Sequence, residues 1–289
     1  MAQKTLFILL FVASLLTGCA EQTFMEQGNA VYYWRTDMRL DSLESAFLRQ
    51  YHIHKFYCRY FDVVMNDAGQ PQPNATLTFT DTLPAGLQLV PTVFITEDCM
   101  HQPHPQLAQR VVDRIVQMNT TNAISGVREI QIDCDYTDRS RLVYYAFLEE
   151  VRRLAAARGL ALSTTIRLHQ LQMPAPPADY GVLMLYNTGD PRRFEERNPI
   201  LDIRDVRTYA AYLAPYALPM AAAYPVYRWQ RQVQGVRIEH TVEADEILRV
   251  KKLVEDKRPQ LRQSIIIYHL DEENINRYQP HIYEAIYHH

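Results

Sequence analysis

Residues 129–136, Glu-Ile-Gln-Ile-Asp-Cys-Asp-Tyr, put Ile130, Ile132 and Cys134 on one face and Gln131, Asp133 and Asp135 on the other. Period-two alternation over this length specifies a β-strand. The cluster Thr137-Asp138-Arg139-Ser140 then reads as a turn and helix cap. Ser140–Arg158 follows with Leu142, Tyr145, Leu148, Val151 and Leu154 at helical spacing, and Gly159 stands where a helix C-terminus favours glycine. Strand, acidic end, short loop and helix is the unit by which a parallel α/β protein presents reactive groups.

The same unit recurs along the chain. Strands are expected at Val31–Arg35, Lys55–Val63, Leu89–Ile95, Glu129–Tyr136, Ala161–His169, Gly181–Asn187, Pro219–Tyr227 and Gln263–Leu270. Helical spacing falls at Leu43–Tyr51, from Pro105 through Met118, at Ser140–Arg158, Asp202–Leu213, Val242–Val254 and Glu272–Tyr287. Residues 66–86 carry Asn, Asp, Gly and prolines, and predict an excursion with a short strand near Thr76–Phe79 in place of a helix. Eight strands with intervening helices predict an α/β chain closed into a (β/α)8 TIM-type barrel over residues 31–289. An open doubly wound sheet is the alternative, although no glycine-rich phosphate loop follows any strand.

In a barrel, one face of every strand lines the lumen and the C-terminal strand ends carry the site. If Asp133 and Asp135 point inward, parity sends Arg167 and His169 inward from strand five. It sends Tyr57, Arg59 and Phe61 inward from strand two, and Met184 and Tyr186 from strand six; Arg35 and Asp37 end strand one. Trp229, just after strand seven with Tyr224 and Tyr227, is a candidate platform for a sugar ring, with simple packing at the barrel rim as the equal alternative. Two carboxylates two residues apart on a strand lie roughly 6.5–7 Å apart at Cα, close enough to raise one pKa toward use as an acid. The competing arrangement is an ion-pair network, Asp133 with Arg59 or Asp135 with Arg167, filling the barrel.

The amino terminus differs in kind. Lys4 precedes an apolar run, Leu6–Leu16, too short to span a bilayer, and Leu16-Thr17-Gly18-Cys19 ends it. Residues 1–18 read as a signal peptide, and Leu-Thr-Gly-Cys resembles the bacterial lipobox. That resemblance implies cleavage before Cys19, lipid on its thiol and anchoring by more than one acyl chain. Residues 19–30 would be a polar tether. Ala20 lacks the acidic mark of inner-membrane retention, so the expected location is the cell envelope, at the outer membrane in preference to the inner. An ordinary cleaved signal is the alternative. Cys58, Cys99 and Cys134 remain, an odd number that does not make a disulfide framework. Their spacing suits no metal, so no cofactor is expected; an Asp-x-Asp metal site with His169 is a lesser alternative. The net charge of −3 has acids and bases interleaved, which gives no footprint for nucleic acid.

The run Gln131-Ile132-Asp133-Cys134-Asp135-Tyr136 resembles the strand-four motif of glycoside hydrolase family 18. Met184-Leu185-Tyr186-Asn187 resembles the Met-x-Tyr-Asp segment of that family's strand six. The resemblance implies a barrel acting on a glycan, with Asp135 in the place of the general acid and Asp133 in that of the assisting Asp. Arg35, Asp37, Arg59, Arg167, His169, Tyr186, Asn187 and Trp229 would line an oligosaccharide or polysaccharide site. The chain departs from the motif in having Asp135 for Glu, Gln131 for the first acid of the strand and Asn187 for Asp. As a whole it resembles a family of bacterial exported (β/α)8-barrel lipoproteins with an acidic strand four, a kinship that implies no activity. Two readings follow: a glycoside hydrolase-like enzyme of the envelope, and a non-catalytic barrel that binds a glycan or envelope partner.

Overall fold

The computed structural model describes residues 27–189, 197–233 and 236–288. The expected signal peptide over residues 1–18, the lipobox-like run ending in Cys19 and most of the expected tether lie outside the described residues. Eight parallel strands form the barrel: β1 (Asn29–Tyr33), β2 (Ile53–Met65), β3 (Gln88–Ile95), β4 (Glu129–Asp133), β5 (Ala161–Ile166), β6 (Tyr180–Met184), β7 (Met220–Pro225) and β8 (Ile265–Tyr268). Each pairs in parallel with its neighbours in sequence, and β8 pairs with β1 through Ala30–Ile266 and Val31–Ile267, which closes the ring. Closure removes the free edge that an open sheet would leave. The open doubly wound alternative is therefore set aside.

Helices cover the outside: α1 (Ser42–Gln50), α2 (Leu107–Thr121), α3 (Arg141–Ala156), α4 (Ile203–Tyr209), α5 (Ala244–Lys257), α6 (Glu272–Ile275) and α7 (Pro280–Tyr287). On α1 a capping box sets the start, because Asp41 Oδ1 accepts from Glu44 N and Glu44 Oε2 accepts from Asp41 N. α3 ends where Gly159 takes φ +71° and Leu160 N reaches back to Ala155 O, so the glycine does the work its position suggested.

Two crossovers lack an α-helix. After β2 the chain runs into an antiparallel segment, Pro71–Asn74, and then Thr78–Phe79, which pairs with Asp37–Met38. Between β5 and β6 there is only a 3-10 turn, Leu168–Gln172. A hairpin, Trp229–Val233 with Val236–His240, follows β7.

The elements differ from the alternation at their ends. β4 stops at Asp133 and β5 at Ile166, short of Tyr136 and His169, since the chain leaves the barrel once no neighbour remains to pair with. The closing helix is two helices, because Pro280 at the start of α7 cannot continue a helix from α6. Most consequential is an irregularity in β2. Its register with β3 runs Arg59–Thr92 and then Phe61–Val93, so one extra residue is inserted at Tyr60 and every later side chain changes face.

Candidate functional site

β4 and β5 build the site by one rule. The inward side chains of β4 are Glu129, Gln131, Asp133 and, just past its end, Asp135; those of β5 are Ser163, Thr165 and Arg167. Each layer is tied to the next strand. Ser163 Oγ donates to Glu129 Oε1 at 2.6 Å, Gln131 Nε2 to Ser163 Oγ at 3.2 Å, and Thr165 Oγ1 to Asp133 Oδ1 at 2.6 Å. At the floor Lys55 Nζ lies 2.8 Å from Glu129 Oε2 and 3.3 Å from the Tyr180 hydroxyl, and in the middle the Tyr32 hydroxyl donates to Gln131 Oε1. A polar column therefore rises through the barrel to its C-terminal mouth.

At the mouth the column ends in one guanidinium shared by two acids. Arg167 Nη2 is 3.3 Å from Asp133 Oδ1, while Arg167 Nε donates to Asp135 Oδ1 in a short charge-assisted bond. The two acids are not equivalent: the Asp133 side chain is 4% exposed and that of Asp135 55%. Burial pushes the Asp133 carboxyl up and Asp135 adds to this, while Arg167 and the Thr165 hydroxyl oppose. Burial works against the Arg167 charge, and the two carboxylates more than offset it. Asp135 thus accepts a hydrogen bond from a fixed cation, whereas a general acid must donate one.

On the opposite wall the bulge in β2 decides the chemistry. It turns Asp62 into the lumen, where Arg59 Nε donates to its Oδ1 at 2.7 Å. Phe61, expected inward, faces the helices instead, with the Arg114 guanidinium 5.1 Å from its ring. Arg59 consequently serves Asp62 and leaves Asp133 to Arg167.

Between the two ion pairs lies an aromatic floor. Tyr186 and Tyr268 stand 4.5 Å apart at their ring centroids, Trp34 and Tyr268 5.7 Å, Tyr227 and Tyr268 5.6 Å, and Tyr32 packs on Tyr57 at 5.0 Å. Trp34, Tyr227 and Tyr268 are half-buried. Arg59 lies over Trp34 and Arg167 over Tyr186, so each cation also meets an aromatic face. Tyr186 is buried, and neither its hydroxyl nor Arg167 Nη1 has a hydrogen-bond partner. Burial raises the Tyr186 and Tyr268 phenols, which hold their protons at neutral pH. His269, next to Tyr268, is pushed down by burial against the pull of Asp271 and is neutral at neutral pH.

The structure thus brings together Asp133, Asp135, Arg167, Arg59 and Tyr186. Asn187 is exposed at the rim with φ +52°, and its Oδ1 accepts from the Tyr227 hydroxyl at 2.7 Å. Trp229 opens the hairpin, its ring 5.7 Å from that of His240. Four expected residues sit elsewhere. Arg35 follows Tyr33 onto the outer face, where its Nη2 is 2.5 Å from Glu44 Oε1, because Tyr32 and Trp34 take the inward positions of β1. Asp37 is exposed on the short strand paired with Thr78. His169 lies exposed on the 3-10 turn, its Nε2 3.4 Å from the Tyr136 carbonyl, because β5 ends before parity can carry it inward. Tyr224 faces α5 and not the mouth, with Glu255 beside it.

Sequence reasoning missed Tyr32, Trp34, Asp62 and Tyr268. Both faces of β1 and β8 are apolar or aromatic, so alternation could not say which face was inner, and nothing in the β2 sequence announces the bulge. Among the described residues no group of three or more His, Cys, Asp or Glu side chains is placed to hold a metal ion.

No protein-family model matches the chain, and no curated protein does. Solved structures do. A chitinase from Bacteroides thetaiotaomicron is similar with a TM-score of 0.59 and 11% identity, over 91% of this chain and 96% of that one. A chitinase from Chromobacterium violaceum is similar with a TM-score of 0.56 and 14% identity, over 90% and 98% of the two chains. The Bacillus cereus spore cortex-lytic enzyme SleL is similar with a TM-score of 0.56 and 14% identity, over 90% of this chain and 73% of its own. These likenesses show the fold, a closed (β/α)8 TIM-type barrel similar to the barrels of those three enzymes.

Proposed function

We propose that the chain is a cell-envelope lipoprotein, cleaved before Cys19 and lipidated there, preferentially at the outer membrane, whose barrel mouth binds a glycan without cleaving it. One observation carries this reading: Arg167 donates to both Asp133 and Asp135, so the carboxylate in the position of the acid is already engaged as an acceptor. Around it the mouth offers what a sugar ring needs. Half-buried rings of Trp34, Tyr227 and Tyr268 provide faces for C–H surfaces, and Asp135, Asn187 and the Tyr227 hydroxyl provide polar partners at the rim. The solved structures of like fold are named as chitinases and a cortex-lytic enzyme, which makes glycans the first ligands to test.

A second reading has its own support. Asp135 is the exposed member of the pair, and Asp133 behind it is a buried carboxyl with a raised pKa. If a ligand displaces Asp135 from Arg167, Asp135 serves as acid/base and Asp133 orients the substrate, with Arg59, Arg167, Tyr186, Asn187 and Trp229 lining the pocket. The test is calorimetric titration of the mature chain with chitin, cellulose and peptidoglycan oligosaccharides, with reducing ends followed in parallel. Binding without new reducing ends is expected, weakened about tenfold in Tyr268→Ala, which is about 1.4 kcal/mol. Reducing ends that appear with the native chain and vanish with Asp135→Asn would overturn the binding-only reading in favour of hydrolysis. Absence of binding across the series would refute both.

A further inference from the structure

The place where the chain enters the barrel limits which way the mouth can face. Gly28 N donates to Gln263 O at 2.9 Å, and Gln27 Nε2 to Gln263 Oε1 at 3.0 Å, just before β1 and β8 begin. Both strands start on the N-terminal face, so the chain enters on the side opposite the mouth. Between Cys19 and Gln27 there are eight residue steps. Fully extended they reach no more than about 26–29 Å. A compact domain of this size has a diameter of roughly 45–50 Å. To turn the mouth onto the bilayer the tether would have to run around the whole domain, a path longer than its reach.

We infer that the mouth of the anchored protein cannot face the membrane that holds Cys19, and that its glycan is drawn from the space beyond that membrane and is not the headgroup of a lipid within it. This rests on the lipoprotein reading of Cys19. The N-terminal face is the side turned toward the bilayer, and a domain lying on its side still leaves the mouth edge-on at most. A polymer strand or a released oligosaccharide fits this geometry; a membrane-embedded glycolipid of the same leaflet does not.

The chain supplies its own reporters. It has two tryptophans, Trp34 directly after β1 and Trp229 after β7, and both lie at the mouth. Cys58, Cys99 and Cys134 are buried free thiols, so a chain beginning at Cys19 can be coupled through that thiol alone to a maleimide lipid in vesicles. With a dansyl-headgroup lipid as acceptor, the native tryptophans should show little energy transfer. Ser125→Trp, exposed between α2 and β4 on the opposite face, should add strong transfer. His288→Trp, exposed after α7 on that same face, is a second reporter should the first variant fold poorly. Native transfer as strong as that of either variant would overturn the orientation. Palmitate labelling of the protein in cells tests the anchor separately: incorporation lost in Cys19→Ser supports it, and absence of label refutes the lipoprotein reading and this premise whatever the vesicles show.

Discussion

Replacing Arg167 by methionine keeps most of the apolar stem and removes the charge. It leaves Asp133, 4% exposed, with the Thr165 hydroxyl and the like charge of Asp135 as its nearest partners. Breaking a buried ion pair from one side costs roughly 3–5 kcal/mol. The low end applies here, because Arg167 is itself 14% exposed and Thr165 stays in place. A loss of about 3 kcal/mol at neutral pH is expected, equivalent to roughly 6–12 °C in Tm for a domain of this size. The pH dependence has a definite sign. Asp133 has a raised pKa when folded, so its contribution to stability is full below its unfolded value, about 3.9, and is lost as pH rises through the folded value. Arg167 is the main opponent of that rise, so its removal lifts the folded pKa further and enlarges the pH-dependent loss. Urea denaturation at several pH values should therefore show the Arg167→Met deficit shrinking on acidification. Arg167→Met/Asp133→Asn should recover most of it. A deficit below about 1 kcal/mol at neutral pH, or a double variant no more stable than the single, would refute the view that Arg167 chiefly neutralises Asp133.

Other perturbations probe the barrel interior. Lys55→Met strands Glu129, 2% exposed, with only the Ser163 and Tyr57 hydroxyls, and should cost about 3 kcal/mol in urea denaturation; Lys55→Met/Glu129→Leu should return most of that. A Cβ at Gly181 would sit 2.9 Å from Ile166 Cγ1 and 3.1 Å from Leu218 Cδ2, both packed core side chains. Gly181→Ala should therefore destabilise by about 1–3 kcal/mol through overpacking, and an unchanged denaturation midpoint would refute the tight fit of β6 on β5.

The barrel was legible because period-two runs and helical runs alternate, and because hydrophobicity reports burial whether or not it reports orientation. The acids, Arg167 and Tyr186 were legible for a narrower reason: on β4 and β5 only one face is polar, so parity had an unambiguous origin. Where that origin was missing the reasoning failed. Arg35 was placed inward because it is charged and near a strand end, yet Tyr32 and Trp34 occupy the inner face of β1 and send it to Glu44. Parity also assumes an unbroken strand. One inserted residue at Tyr60 exchanged Phe61 for Asp62, and with it the partner of Arg59. His169 failed for a third reason, since β5 ends three residues before it.

The polar column bears on how the barrel finds its register. Apolar strands can slide by two residues and still present the same faces, because one buried methyl group resembles another. On β4 and β5 that freedom is absent. Such a slip would set Gln131 against Thr165 or Ala161 instead of Ser163. It would also strip Glu129 or Asp133 of its hydroxyl donor inside a closed core, where an unpaired buried polar group costs on the order of 1–3 kcal/mol and a buried charge more. Ser163, Thr165 and Arg167 therefore act as index marks along one seam. Closure of the other seven seams follows from it, since the shear of a barrel is a property of the whole ring.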